Sequence, residues 1–451
     1  KIFREYDIRG IAGDDFTESI VETLGKSLAV FMRGKKTHNC IAVGRDGRHT
    51  SKALANALID GLTSAGVNVI DIGRAPTGVT YYASATLKVD CAVQITGSHN
   101  PKEYNGMKIA LGPSTIHGKD IQKLKEIGER GKFPVAKRPV TITRLNVVPQ
   151  YQRRVLRDVK LRRRLRVVVD AGNGVGGEVA VPLFESLGCE VIPLYCDVDG
   201  DFPNHHPDPT LPETLRVLIK TVKKHGANLG IGLDGDADRI GAVDELGNII
   251  PGDQLLMVLA RSVLASNPGA TIIGDVKCSR TLFDDVAAHG GKPLMWKTGH
   301  SLMKDAMVKH RAQLGGEMSG HIFFKNRWYG FDCAIYAAAR LLETLAATRR
   351  PFSTYFNDVP KTYATPEIRV DAAEERKFPI VKQATAYFKE ELGLRVNTID
   401  GARIEFDDGW GLVRASNTSP VLVMRFEANS AKRLAEIQKL VETKINALNH
   451  K

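Results

Sequence analysis

Neither disulfide nor zinc spacing occurs in this 451-residue chain: its six cysteines, Cys40, Cys91, Cys189, Cys196, Cys278 and Cys333, are scattered, with no Cys-x-x-Cys pair. Reduced thiols are expected, and a stapled secreted scaffold or a zinc module is excluded. No apolar run approaches the ~20 residues that span a bilayer, and Lys1-Ile2-Phe3-Arg4-Glu5-Tyr6-Asp7 does not read as a signal peptide. No membrane partner and a cytoplasmic location are therefore expected. An initiator Met is also missing, so the numbered chain is expected to start inside the native one or after processing. Aromatic residues are few, 7% of the chain, and none interleave its densest basic run, Arg153 to Arg166. Stacking platforms for bases are thus lacking there. Val155, Leu156, Val159 and Leu161 stand at roughly helical spacing in that run, which predicts a helix with a solvated basic face. The formal charge of +12 suits an acidic small substrate better than nucleic acid, although a basic nucleic-acid-binding protein is the alternative from a different class.

What the chain does have is one pattern written three times. An apolar strand, a helical stretch, a small residue or turn with Gly, and a second β-rich run recur from Ile41 to Ile70, from Val167 to Leu194 and from Ile272 to Trp296. Gly66, Gly188 and Gly290 stand where each helix should end. These are βαβ units and predict three similar α/β domains with mixed sheets. After about Pro360, short β-like runs and a final amphipathic stretch, Ser430 to Leu448, predict a smaller C-terminal α+β domain, an antiparallel sheet with helices on one face. The length prior of roughly three or four domains agrees. Boundaries fall in polar or Pro-marked stretches, giving domains 1–144, 145–248, 249–360 and 361–451.

The most informative motif is Asp234-Gly235-Asp236-Ala237-Asp238-Arg239. The apolar, Gly-spaced run before it reads as a buried strand, so the acids fall at a strand's C-terminal end, where sites in open α/β sheets collect. Alternating carboxylates on a turn can converge on one hard cation, and an adjacent guanidinium suits a phosphoryl oxygen. An EF-hand would place Asp234, Asp236, Asp238 and Glu245 at its ligand positions, but Arg239 stands where its turn needs Gly, and the entering segment is strand-like.

Three further loops carry polar chemistry. Thr96-Gly97-Ser98-His99-Asn100-Pro101 follows the apolar run Cys91 to Ile95 and exposes a serine among polar partners, without the Gly-x-Ser-x-Gly elbow of an esterase. Gly316-Glu317-Met318-Ser319-Gly320-His321 offers a carboxylate, a hydroxyl and an imidazole suited to sugar hydroxyls. Arg414-Ala415-Ser416-Asn417-Thr418 reads as a seat for a phosphate dianion. Gly172-Asn173-Gly174-Val175-Gly176-Gly177 fits the dinucleotide fingerprint, with Asp197 near the ribose-acid position, but Asp170 at the strand end would face the pyrophosphate.

Together and in this order, these loops resemble the α-D-phosphohexomutase family, most closely its bacterial phosphomannomutase/phosphoglucomutase branch. The resemblance also includes Tyr6-Asp7-Ile8-Arg9-Gly10, Tyr104-Asn105-Gly106-Met107-Lys108, Lys277 and Thr298-Gly299-His300-Ser301. It implies four domains around a central cleft, with Ser98 carrying a phosphate and one Mg2+ per subunit held by Asp234, Asp236, Asp238 and the phosphoserine. Arg9, Lys108 and Arg239 would surround that phosphate. Ser98 would give it to a hexose monophosphate of glucose or mannose, and the 1,6-bisphosphate would turn end for end before phosphate returns. Glucose 1,6-bisphosphate is the implied activator. Glu317 and Ser319 would grip sugar hydroxyls, with Tyr6, Lys277, His300 and His321 also binding substrate. Arg414, Ser416, Asn417 and Thr418 would hold the distal phosphate. His99, Lys108, His300 and His321 are all candidates for proton transfer. A monomer supplying nucleotide-sugar and exopolysaccharide synthesis is expected, and phosphoglucosamine mutase is the alternative among enzymes.

Overall fold

A computed structural model describes residues 2–35, 37–112, 114–417 and 419–449. Among the described residues the strands form four sheets, of seven, five, four and six strands. The pattern read three times in the sequence is built three times. In the first sheet, Cys40–Arg45 leads through the helix Ser51–Ser64 to the parallel strand Asn68–Arg74. In the second, Arg166–Asp170 leads through Gly177–Ser186 to Glu190–Leu194. In the third, Thr271–Asp275 leads through Arg280–Ala288 to Lys292–Trp296. Gly66, Gly188 and Gly290 follow these helices at positive φ (84°, 96° and 75°), the left-handed turn that lets a chain leave a helix and which glycine adopts without a Cβ clash.

Each unit is then completed in the same way. A third strand pairs parallel to the other side of the first: Cys91–Ile95, Leu229–Leu233 and Leu314–Gly316. A fourth turns back antiparallel to it: Tyr104–Leu111, Ile240–Asp244 and Ile322–Phe324. The serine, carboxylate and Glu317 loops are the three connections between these last two strands. The fourth sheet is antiparallel, with Gly409–Ala415 between Ala402–Phe406 and Val421–Ala428. Its turn from Ala415 to Val421 carries the remaining loop.

Packing divides the molecule unequally. One apolar core runs through the first three units and includes Tyr81, Tyr82, Tyr151, Trp328 and Tyr336. Trp328 stacks on Tyr336 with ring centroids 4.0 Å apart. The fourth unit has its own core, in which Ile437, Val441 and Ile445 of the final helix Ala431–Asn449 meet Val413, Ala415 and Phe426. Period-two alternation sends Trp410 and Leu412 to the opposite face, where they meet Val276 of the third unit. Buried Arg403 donates to Val276 O at 2.7 Å and Cys278 O at 2.8 Å, with its guanidinium 3.8 Å from the Trp410 ring centre.

Two expectations need correction. The basic run is not one helix: Val148–Asp158 is helical, and Val159 turns extended, with φ −96° and ψ 132°. Arg327 donates to the terminal Asp158 carbonyl and carboxylate, while Arg163 donates to Leu345 O and Thr348 O at the end of the helix Ala334–Ala346. Arginines 163 and 327 are thus spent on helix ends. The polar stretches read as boundaries also contain edge strands. Ile142–Arg144 joins the first sheet and Ile249–Ile250 the second. No helix among the described residues is long and apolar enough to cross a membrane.

Arg403→Met keeps the aliphatic contact with Trp410 but leaves two buried carbonyls without donors. It is expected to cost about 2–4 kcal/mol, read as a lower C-terminal-domain transition in calorimetry; an unshifted transition would contradict the clasp.

Candidate active site

Ser98 sits in the turn after Cys91–Ile95 with φ 49°, a left-handed conformation that costs a non-glycine residue energy and clusters at functional sites. Surrounding bonds enforce it. Ser98 N–H donates to Thr96 Oγ1 at 2.8 Å, Gly97 N–H to Asp46 Oδ2 at 3.0 Å, and the buried Arg48 guanidinium to the carbonyls of Ser98, Asn100 and Pro101 at 2.6 to 2.8 Å. Ser98 Oγ is thereby aimed across the domain boundary, donating to Asp234 Oδ2 at 2.8 Å. Gly235 permits this approach, because a Cβ there would lie 2.5 Å from Ser98 O.

Asp234, Asp236 and Asp238 are fully buried, and each can offer an oxygen within 4.8 Å of the others. Asp236 Oδ2 is saturated by Thr77 Oγ1 (2.6 Å) and Lys108 Nζ (2.8 Å), with the Thr96 hydroxyl at 3.1 Å. Lys108 also pairs with Asp238 Oδ2, while the backbone N–H groups of Asp238 and Arg239 donate to Asp234 Oδ1. Oδ1 of Asp236 accepts no hydrogen bond, and Oδ1 of Asp238 has only the His321 imidazole beside it, at 3.3 Å. A bare carboxylate oxygen among three buried carboxylates is costly unless a cation meets it, so the donor set fits a hard divalent ion. Charge agrees. Burial, then Asp238 and Asp236, push the Asp234 carboxyl well above its usual range. Burial opposes charge on Lys108, but Asp236 and Asp238 hold its pKa above the lysine range.

The other loops close around this centre. Burial disfavours a charged His321, but Asp238, with Oδ1 3.3 Å from Nε2, and Glu317, with Oε2 2.7 Å from Nδ1, raise its pKa to about 9. Arg239 Nε lies 3.4 Å from His321 Nε2. Glu317 also accepts from Gly299 N–H at 2.5 Å and Ser319 Oγ at 3.2 Å; its pKa falls to about 2 because, against burial, His321 and Gly299 favour the anion. His300 and His99 are held well below the ordinary imidazole range, first by burial, then by Lys304 for His300 and by Arg239 and Arg9 for His99. His99 Nδ1 lies 3.2 Å from Ser98 Oγ, and Arg9 pairs with Asp7.

From the fourth unit, Arg414 Nε donates to Asp400 Oδ2 at 3.0 Å, and Asp400 also accepts from Thr298 N–H at 3.1 Å. Tyr6 OH donates to Thr298 O at 3.0 Å and accepts from Asn417, which ties three units together. Its pKa rises to about 12, through burial. Ser416 Oγ accepts from Ser419 N–H at 3.2 Å. Lys277 Nζ donates to Glu367 Oε2 at 3.1 Å. Thr418 lies outside the described residues.

Polar contacts thus join Ser98 to Asp234, Asp234 to the Asp238 N–H, Asp238 to Lys108 and His321, and His321 to Glu317, while Asp400 joins Thr298 to Arg414. Sequence reasoning missed the supports of this site: Asp46, Arg48, Thr77, Asp400, and the buried pair Lys304 and Asp332. Asp46-Gly47-Arg48 follows the strand Cys40–Arg45 and could have been found by the same strand-end logic as Ser98; a lone Asp400 carries no such signal. Two alternatives fall away. Glu245 accepts from Ser353 N–H at 3.1 Å instead of facing the carboxylates. The Gly172–Gly177 loop packs on the carboxylate loop, where a Cβ on Gly174 would lie 2.7 Å from Gly235 O, so it has no room for a pyrophosphate.

Comparison with known proteins agrees with this arrangement. Family models described as phosphoglucomutase/phosphomannomutase match alpha/beta/alpha domain I at residues 1–134, domain II at 149–247, domain III at 251–363 and the C-terminal domain at 367–444. The phosphomannomutase/phosphoglucomutase of Pseudomonas aeruginosa is 46% identical over 452 residues, covering 99% of this chain and 96% of that protein. The phosphoglucomutase of Neisseria gonorrhoeae is 43% identical over 450 residues, covering 100% and 97%. A crystal structure of a phosphoglucomutase/phosphomannomutase family protein from Burkholderia thailandensis superposes with TM-score 0.93 at 43% identity, covering 99% of this chain and 97% of that one. The four matched domains, the near-complete coverage and the loops gathered around one buried carboxylate centre make this chain a member of the phosphoglucomutase/phosphomannomutase family, the α-D-phosphohexomutases, and a hexose phosphate mutase.

Proposed function

We propose that Ser98 is the phosphoryl carrier of a reversible transfer between the 6- and 1-positions of glucose and mannose phosphates. The observation that carries this reading is the Ser98 hydroxyl 2.8 Å from Asp234, in a cluster of three buried carboxylates where Asp236 Oδ1 lacks any donor. Asp234, Asp236 and Asp238 would hold one Mg2+, with the phosphoserine as a further ligand. When bound, that ion supplies neutralisation of charge on the phosphoryl oxygens.

In the forward half-reaction a sugar hydroxyl oxygen bonds to phosphorus as the Ser98 Oγ–P bond breaks, and the hydroxyl proton passes to a base of the site. In the return half-reaction Oγ bonds the other phosphorus of the bisphosphate, and the sugar oxygen regains a proton. Phosphate and protons balance over the cycle. Arg9, Lys108 and Arg239 stabilise the transferring group, which needs positioning and charge neutralisation above all. Arg414, Ser416, Asn417 and Thr418 hold the distal phosphate, and Glu317 and Ser319 hold the 3- and 4-hydroxyls. Those hydroxyls are common to glucose and mannose, so grips on them alone admit both sugars. Tyr6, Lys277, His300 and His321 complete the substrate contacts, and His99 adjoins the carrier oxygen. Glucose 1,6-bisphosphate would act as activator by charging Ser98. We further propose a cytoplasmic monomer of four domains with the limits 1–144, 145–250, 251–360 and 361–451, the second limit moved from 248 because Ile249–Ile250 pairs in the second sheet.

Ser98→Ala is expected to lower kcat by at least about a thousandfold while hexose phosphate binding survives; wild-type turnover in this variant would end the carrier assignment. In coupled assays primed with glucose 1,6-bisphosphate, glucose 1-phosphate and mannose 1-phosphate should both turn over. Silence on both, with turnover of glucosamine 1-phosphate, would move the enzyme to the phosphoglucosamine mutases.

A further inference from the structure

His300 begins the helix His300–Lys309, and Lys304 stands one turn on, on the same face. Lys304 is 1% exposed, an unusual place for an ammonium. Its Nζ donates to Asp332 Oδ1 at 2.8 Å, lies 4.3 Å from the Tyr81 ring centre, and is 3.3 Å from His300 Nδ1. An ammonium has three donors and no lone pair. The imidazole nitrogen facing it must therefore be the bare one, and the ring proton must sit on Nε2. The competing arrangement, Nδ1–H donating to Asp332, fails on distance, since Oδ2 lies 4.0 Å away. Among the described residues His300 Nε2 makes no hydrogen bond, and its ring stands 5.8 Å from that of His321 and 6.4 Å from that of Tyr6.

We propose that Lys304 and Asp332 are positioning residues that lock His300 as the Nε2–H tautomer, so that His300 serves phosphoryl transfer as a hydrogen-bond donor to a substrate oxygen and not as the base. Asp332 fixes Lys304, and Lys304 fixes the ring. A second proton on Nδ1 would oppose the ammonium at close range, so the ring stays neutral and its donor stays in place through the cycle. What the donor meets rests on the mutase reading above; the tautomer does not.

The test is nitrogen-15 NMR of histidine-labelled full-length enzyme, with His300 assigned from its loss in His300→Gln. The proposal requires a protonated, pyrrole-like Nε2 and a bare, pyridine-like Nδ1. Lys304→Met with Asp332→Asn removes both buried charges together, which avoids stranding either one. In this double variant the His300 signals should shift toward a mixture of tautomers, and kcat should fall by about tenfold or more with KM within about twofold. A wild-type His300 carrying its proton on Nδ1 would overturn the proposal, as would a folded double variant with wild-type kcat. Failure of the mutase reading, seen as full turnover in Ser98→Ala, would leave the tautomer measurement to decide this point by itself.

Discussion

Three carboxylates buried within five residues are the constraint on which the rest of the structure depends. Asp234, Asp236 and Asp238 would repel one another in a dry interior without partners on every side. The fold supplies those partners from separate units: Thr77, Thr96 and Lys108 from the first, and His321 from the third. What remains unanswered is equally specific. Asp236 Oδ1 faces no donor, Asp238 Oδ1 has only His321 at 3.3 Å, and the serine hydroxyl beside this group is held in a strained turn by a buried aspartate and arginine. A divalent ion bound there would stabilise the folded centre as well as serve chemistry, since its charge offsets a penalty already present in the protein.

Topology explains why such partners meet. The first three units use the same connection, between a parallel strand and its antiparallel neighbour, to carry a functional loop. Their shared core, with Trp328 stacked on Tyr336, fixes those loops relative to one another. The fourth unit has a separate core, docks on the third through Trp410, Arg403 and the bonds of Arg280 to Glu405, Phe406 O and Gly409 O, and reaches the other loops through Asn417 to Tyr6 and Asp400 to Thr298. This division suits the proposed reaction. Chemistry at Ser98 requires a rigid frame, whereas an intermediate that reverses requires a distal phosphate seat that can let go and grip again.

Much of this was legible because apolar runs ending in polar turns are hard to read otherwise. Cys91 to Ile95 before Ser98, and Leu229 to Leu233 before Asp234, are strands buried at every residue. The helix-ending glycines marked all three βαβ units. Edge strands escaped notice because Ile142–Arg144 is exposed throughout and carries no apolar alternation. The basic run was misread for a related reason: spacing alone cannot tell a solvated arginine from one donating to the end of a neighbouring helix, as Arg163 does. Buried supports were the least visible class. In His300-Ser301-Leu302-Met303-Lys304 the lysine reads as a surface residue, and its partner Asp332 lies 28 positions away. Pairing across that separation is a property of the fold and leaves no local trace.

The central claim, that the buried carboxylates and Ser98 form one phosphoryl-transfer centre, is tested most directly by peptide-resolved mass spectrometry. The full chain would be incubated with Mg2+ and glucose 1,6-bisphosphate, then digested. The account predicts a single phosphate on the peptide containing Ser98, removed when excess glucose 6-phosphate is added. Phosphate on another residue, or none on Ser98 in enzyme that is turning over, would contradict it.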